Sequence, residues 1–124
     1  MTLADWCVLA AGILPLAATG LAKWGFRDFD NRNPRAWLAR QTGFRARANA
    51  AQANSFEAFP FFAAAVIIAQ QAHAVQGRVD VLAAAFVALR LLYLGCYLAD
   101  RATARSAVWF AAYVCIVGLF IISA

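Results

Sequence analysis

Long apolar runs separated by short polar breaks dominate this chain. Residues 6–22 carry no charge, residues 48–77 only Glu57, residues 81–99 only Arg90, and residues 106–124 none. Each run, with its flanks, is long enough to cross about 30 Å of hydrocarbon as a helix. The pattern predicts an all-α integral membrane protein, a four-helix bundle in one domain over residues 1–124, with spans at about 3–24, 46–72, 79–99 and 104–123. The breaks are residues 25–43, with Asn33-Pro34 as a turn signal, residues 73–79 around Gly77, and residues 100–105. Pro15 and Pro60 fall inside spans, where they are tolerated as kinks. Pro60 should bend the second span and leave the carbonyl of Phe56 without its helical donor.

Composition supports the same reading. The chain is 65% hydrophobic and 14% charged over 124 residues. So small a domain cannot hide that much apolar surface in its own core, so the surplus faces lipid or other subunits. The first span is not read as a signal peptide, because Asp5 and no Lys or Arg precedes it. The net charge of +5 does not point to nucleic acid, because seven of the eleven Lys/Arg lie between positions 23 and 47, in one inter-helix segment. Lys23, Arg27, Arg32, Arg35, Arg40, Arg45, Arg47, Arg101 and Arg105 fall on one side of the expected bundle, against Arg78 on the other. The positive-inside rule then puts the first and third loops in the cytoplasm and both termini outside, in a bacterial inner membrane by composition. Cys7, Cys96 and Cys115 sit in apolar runs and His73 is the single histidine, so no metal site is expected.

Polar groups inside spans are costly and mark candidate sites. On the second span Arg47, Asn54 and Glu57 fall within about 80° of one another at 100° per residue. Arg45, Asn49 and Gln52 make a second stripe on roughly the opposite face, so this helix should touch different neighbours on its two sides. On the third span Arg90, Tyr93, Tyr97 and Arg101 recur at i, i+3, i+7 and i+11. From a rise of about 1.5 Å per residue, Glu57 lies roughly 24 Å and Arg90 roughly 16 Å below the shared turn. That gap is short enough for the two to pair, and loss of Glu57 should then destabilise the protein. Trp24, Trp37 and Trp109 read as interfacial anchors.

These residues resemble a known family. Arg45–Phe62 reads RARANAAQANSFEAFPFF, with Asn54-x-x-Glu57 followed by Pro60, and the third span reads Arg90-x-x-Tyr93-x-x-x-Tyr97. Both segments are similar to the signature helices of the MAPEG family, the membrane-associated proteins of eicosanoid and glutathione metabolism. The resemblance covers nearly the whole chain. It implies a homotrimer with the second spans lining its axis, and glutathione as co-substrate held between subunits near the cytoplasmic surface.

On that resemblance Arg47, Gln52, Asn54, Glu57, Arg90, Tyr93 and Tyr97 would bind glutathione. Arg105 would stabilise its thiolate, with Arg101 as the alternative and Tyr97 beside them. The implied activity is a glutathione-dependent transferase or peroxidase acting on lipophilic electrophiles that arrive from membrane lipid. The alternative is a non-catalytic lipid-binding or scaffold protein of the same fold. The sequence departs from the family at Ala50, where glutathione binders carry an Arg four residues before the motif Asn. Either Arg47, one turn earlier, substitutes for it, or the affinity is weak or absent.

Overall fold

Helix α1 (Leu3–Lys23) starts on a capping box: the Thr2 side chain accepts from the Asp5 backbone N–H, and the Asp5 carboxylate accepts from the Thr2 N–H. It leads, through a short helix α2 (Pro34–Ala39), to the 29-residue α3 (Gly43–Gln71), then α4 (Gln76–Leu98) and α5 (Ala102–Ile121). This computed structural model describes residues 1–25 and 27–124, and among them there is no strand. The four long helices are each long and apolar enough to cross a membrane. α3 continues through Pro60 as one helix.

The Asn33-Pro34 signal turns out to be a helix start rather than a turn. Asn33 caps α2 by accepting from the Ala36 N–H at 3.4 Å, and Pro34 takes the first helical position, where its missing N–H costs nothing. α2 places Trp37 and Leu38 in a small cluster with Ala22 and Ala48. Trp37 is therefore buried, with Phe29 edge-on against it at 5.1 Å, and is not the interfacial anchor expected. Trp24, by contrast, is 79% exposed.

Both tight turns end their helices in the same way. His73 (φ 56°) and Asp100 (φ 58°) occupy the left-handed region just after α3 and α4. The N–H groups of His73 and Ala74 bond back to the carbonyls of Gln70 and Ala69; those of Asp100 and Arg101 bond back to Tyr97 and Cys96. These are Schellman closures, which satisfy the last helical carbonyls.

Small residues make the helix seams. Ala4, Ala11 and Ala18 recur every seven residues on α1; Ala51, Ala58 and Ala65 do so on α3; all are buried. α1 packs on α3 and α4, α3 also on α4 and α5, and α4 on α5. Between lipid-immersed helices the apolar effect offers little, so close backbone approach and dispersion hold the bundle, which alanine permits. Gly12 belongs to the same seam, since a Cβ there would sit 3.2 Å from the Phe59 ring. The main aromatic contact of the core is Phe62 stacked on Phe86, ring centroids 3.9 Å apart.

At the end of the bundle that holds both termini, polar groups tie three helices together. Gln70 donates to Thr2 Oγ1 and Asp5 Oδ1, both at 3.0 Å, linking α3 to α1. Asp80 accepts from the Ala4 backbone N–H and from Gln76, both at 2.9 Å, linking α4 to α1. The opposite end, where α1 and α4 finish and α3 and α5 begin, carries the basic loops.

Candidate functional site

The site candidates gather at the basic end, on two sides of α3. On one side, Asn54, Tyr93, Arg105, Ser106, Trp109 and Phe110 line an open groove of about 460 Å³ between α3, α4 and α5. On the other, Asn49, Gln52, Ala53 and Phe56 of α3 face Arg35, Leu38 and Ala39 of α2 across a groove of about 330 Å³. Of the two polar faces expected of this helix, Asn54 opens onto the first groove and Asn49 and Gln52 onto the second, while Arg45 and Arg47 line neither. Arg35 is a groove residue without a sequence signal, because α2 lies in the polar segment that the pattern assigns to a loop.

A chain of cations and rings joins two residues of the first groove, Tyr93 and Arg105, to Arg90 and Tyr97. Arg90, only 2% exposed, donates to Ser55 Oγ at 3.1 Å and holds its guanidinium 4.2 Å from the Tyr93 ring centroid. The Tyr93 ring meets Tyr97 edge-on at 5.5 Å, and the Arg105 guanidinium lies 4.3 Å over Tyr97. Residues 90, 93 and 97 share one face of α4, and Arg105 approaches from the first turn of α5. Ser55 is buried beneath Arg90, and a serine inside an alanine-rich helix carries no sequence signal until its partner is known.

Arg101 does not continue this stripe. Helix α4 ends at Leu98, and the positive φ of Asp100 breaks the helical phase, so the i+11 spacing no longer maps onto the same face. Arg101 lies instead in a separate exposed groove with Asp100, Ala102, Thr103 and Ala104.

Nor do Glu57 and Arg90 pair. Glu57 is exposed, and its carboxylate accepts from the Asn54 side-chain amide at 3.4 Å. Depth along the bundle leaves azimuth open: Arg90 is buried against Ser55, whereas Glu57, two positions further along α3, stays at the surface beside Asn54. Accordingly, Glu57→Ala is expected to leave the thermal stability of the ligand-free protein within about 0.5 kcal/mol of the parent, as for surface sites generally. A melting curve in detergent checks this, and a loss of several degrees would restore the pairing.

Arg47 has a structural duty. Its guanidinium donates to the Leu98 carbonyl at 3.2 Å, satisfying a carbonyl of the last turn of α4 and placing positive charge at that helix's negative end. This bond pins α3 to the start of the last loop.

Four buried polar atoms on α3 and α4 have no protein partner among the described residues: Arg90 Nη1, Arg47 Nε, Asn54 Oδ1 and Gln52 Oε1. Two are donors that require an acceptor and two are acceptors that require a donor.

Comparison with known proteins agrees with the motif reading. The model of the MAPEG family matches residues 3–124, essentially the whole chain. No curated protein and no solved structure matches it.

Proposed function

On the premise that the chain belongs to the MAPEG family, and is with its four apolar helices a multi-pass membrane protein, we propose a glutathione-dependent transferase or peroxidase acting on lipophilic electrophiles. Membership connects the chain with glutathione-related or eicosanoid metabolism at the level of the family. The single observation that carries the finer reading is the approach of Arg105 to Tyr97, Tyr93 and Asn54 at the rim of one open groove.

Glutathione matches the groove in chemical character. In this reading its N–H groups meet Asn54 and the Glu57 carboxylate bonded to it, Gln52 is supplied from the other groove of a neighbouring subunit, and Arg47, Arg90, Tyr93 and Tyr97 complete the polar surroundings that hold its carboxylates. In the reaction, the Arg105 guanidinium favours the sulfur anion. A free thiol, with pKa near 8.5, is mostly protonated at neutral pH, and a neighbouring cation lowers that value by one or more units. The proton leaves to solvent. The thiolate then attacks an electrophilic carbon, forming a C–S bond as the leaving group departs with its electron pair. With a hydroperoxide it attacks the distal oxygen instead: the O–O bond breaks, an alcohol forms, and a second glutathione reduces the sulfenic acid to the disulfide and water.

A homotrimer completes the site in this reading. The groove bearing Asn54, Tyr93, Tyr97 and Arg105 faces the neighbour's groove bearing Asn49, Gln52 and Arg35. Lipophilic substrate enters from the bilayer past Trp109 and Phe110. The basic end faces the cytoplasm of a bacterial cell and both termini face out, in keeping with the Lys/Arg bias.

One observation favours a second reading, a lipid-binding or scaffold protein of the same fold. Position 50 is alanine, and Arg47, the expected substitute, already holds the Leu98 carbonyl. Conjugation of glutathione to a chromogenic lipophilic aryl halide by the detergent-purified protein separates the two. The proposal expects turnover that saturates with glutathione; a rate equal to the uncatalysed one would favour the scaffold.

A further inference from the structure

A third groove lies outside the proposed site, and we infer that it binds one anionic phospholipid of the surrounding bilayer. It occupies about 430 Å³, lined by Leu21 and Trp24 at the end of α1 and by Phe44 and Arg45 at the start of α3. Its volume is in the range of small-molecule sites, roughly 300–1,000 Å³. The lining is apolar except at Arg45. Trp24 is 79% exposed and Phe44 is 44% exposed, so the walls are open to whatever surrounds the helix ends.

Three features choose the occupant. The groove sits at the boundary where two membrane-length helices end and the polar loop begins, the level at which Trp side chains partition. The chain around it is strongly basic: Lys23 closes α1, its ammonium 4.4 Å over the Phe29 ring, and Arg27, Arg45 and Arg47 follow within the same segment. Finally, Arg45 is anchored: one guanidinium nitrogen donates to the carbonyl of Trp24, another residue of the groove, at 3.3 Å, which keeps its charge beside the apolar trough. An acyl chain fills such a trough, while a phosphate takes a guanidinium in charge-assisted hydrogen bonds. Only a molecule with both parts uses the whole groove, and basic pockets between membrane helices bind anionic headgroups in this manner. The bound lipid would tie the end of α1 to the start of α3, reinforcing the Arg45–Trp24 bond.

The test is native mass spectrometry of the full chain released from detergent containing phosphatidylglycerol or phosphatidylcholine with identical acyl chains. Phosphatidylglycerol should be retained about fivefold better, the factor that one Arg near an anionic headgroup supplies. Arg45→Gln should bring that ratio close to one, whereas Arg40→Gln, an exposed cation elsewhere on the segment, should leave it unchanged. Phe44→Ala keeps the Arg45–Trp24 bond and should weaken retention of both lipids alike. Inorganic phosphate at equal concentration should displace neither, since it lacks the chain. Equal retention of the two lipids by the parent protein overturns the inference. So does an undiminished ratio in Arg45→Gln, which would assign the preference to the basic segment as a whole, or unchanged retention in Phe44→Ala.

Discussion

Arg105→Ala is expected to lower the thiolate absorbance of protein-bound glutathione at neutral pH by about tenfold or more, because one cation beside the sulfur shifts a thiol by one or more pKa units. Assembly should survive. Arg105 is only half-buried, and its contact is the Tyr97 ring at 4.3 Å, a cation–π interaction worth about 0.5–1 kcal/mol at such a site. The sharper comparison is with Arg101→Ala. Arg101 lies on the far side of the Asp100 turn, in a different groove, so its removal should leave the absorbance near that of the parent. An ultraviolet difference spectrum of each variant with saturating glutathione decides between them. If Arg101→Ala were the damaging change, the placement of the catalytic cation would be wrong.

Phe62→Ala should produce the largest loss of stability. Phe62 is fully buried and stacks on Phe86 at 3.9 Å, within the cluster that joins α1, α3, α4 and α5. Such truncations cost about 3–5 kcal/mol in soluble cores, by transfer plus cavity. In lipid the transfer part shrinks, because acyl chains are as apolar as the core. The lost packing remains, and roughly 2–3 kcal/mol is expected, read as a fall in thermal midpoint in detergent. Phe61→Ala next to it is the control. Phe61 is 44% exposed and touches Tyr113 and Phe120 at ring distances of 6.2 and 5.7 Å, so a much smaller change should follow. Equal losses from the two variants would mean that the packing is not as described.

The contrast between these neighbours shows what the sequence carried. Long charge-free runs report a membrane crossing directly, because charge is so costly there, and all four long helices were legible for that reason. The stripe of Arg90, Tyr93 and Tyr97 was legible because helical phase within one element follows from spacing alone. Phase does not survive a turn, so Arg101 was placed on the stripe and Arg105 is the residue that joins it. Azimuth between helices is also unreadable from depth, which is why Glu57 was matched to Arg90 while Ser55 holds it. The heptad repeat of buried alanines passed unnoticed, since alanine is equally common on lipid-facing positions. Asn33-Pro34 starts helices as readily as turns, and only the packing of Trp37 and Leu38 against Ala22 and Ala48 makes α2 worthwhile.

The groove of Asn54, Tyr93 and Arg105 is expected to receive glutathione and ionise it. Titration calorimetry of the detergent-purified protein with glutathione, with a thiolate difference spectrum on the same sample, tests it most directly. Saturable binding accompanied by a thiolate band at neutral pH is the predicted result. No heat and no band at millimolar glutathione would contradict it, and would mean that alanine at position 50, with Arg47 committed to Leu98, has removed the site.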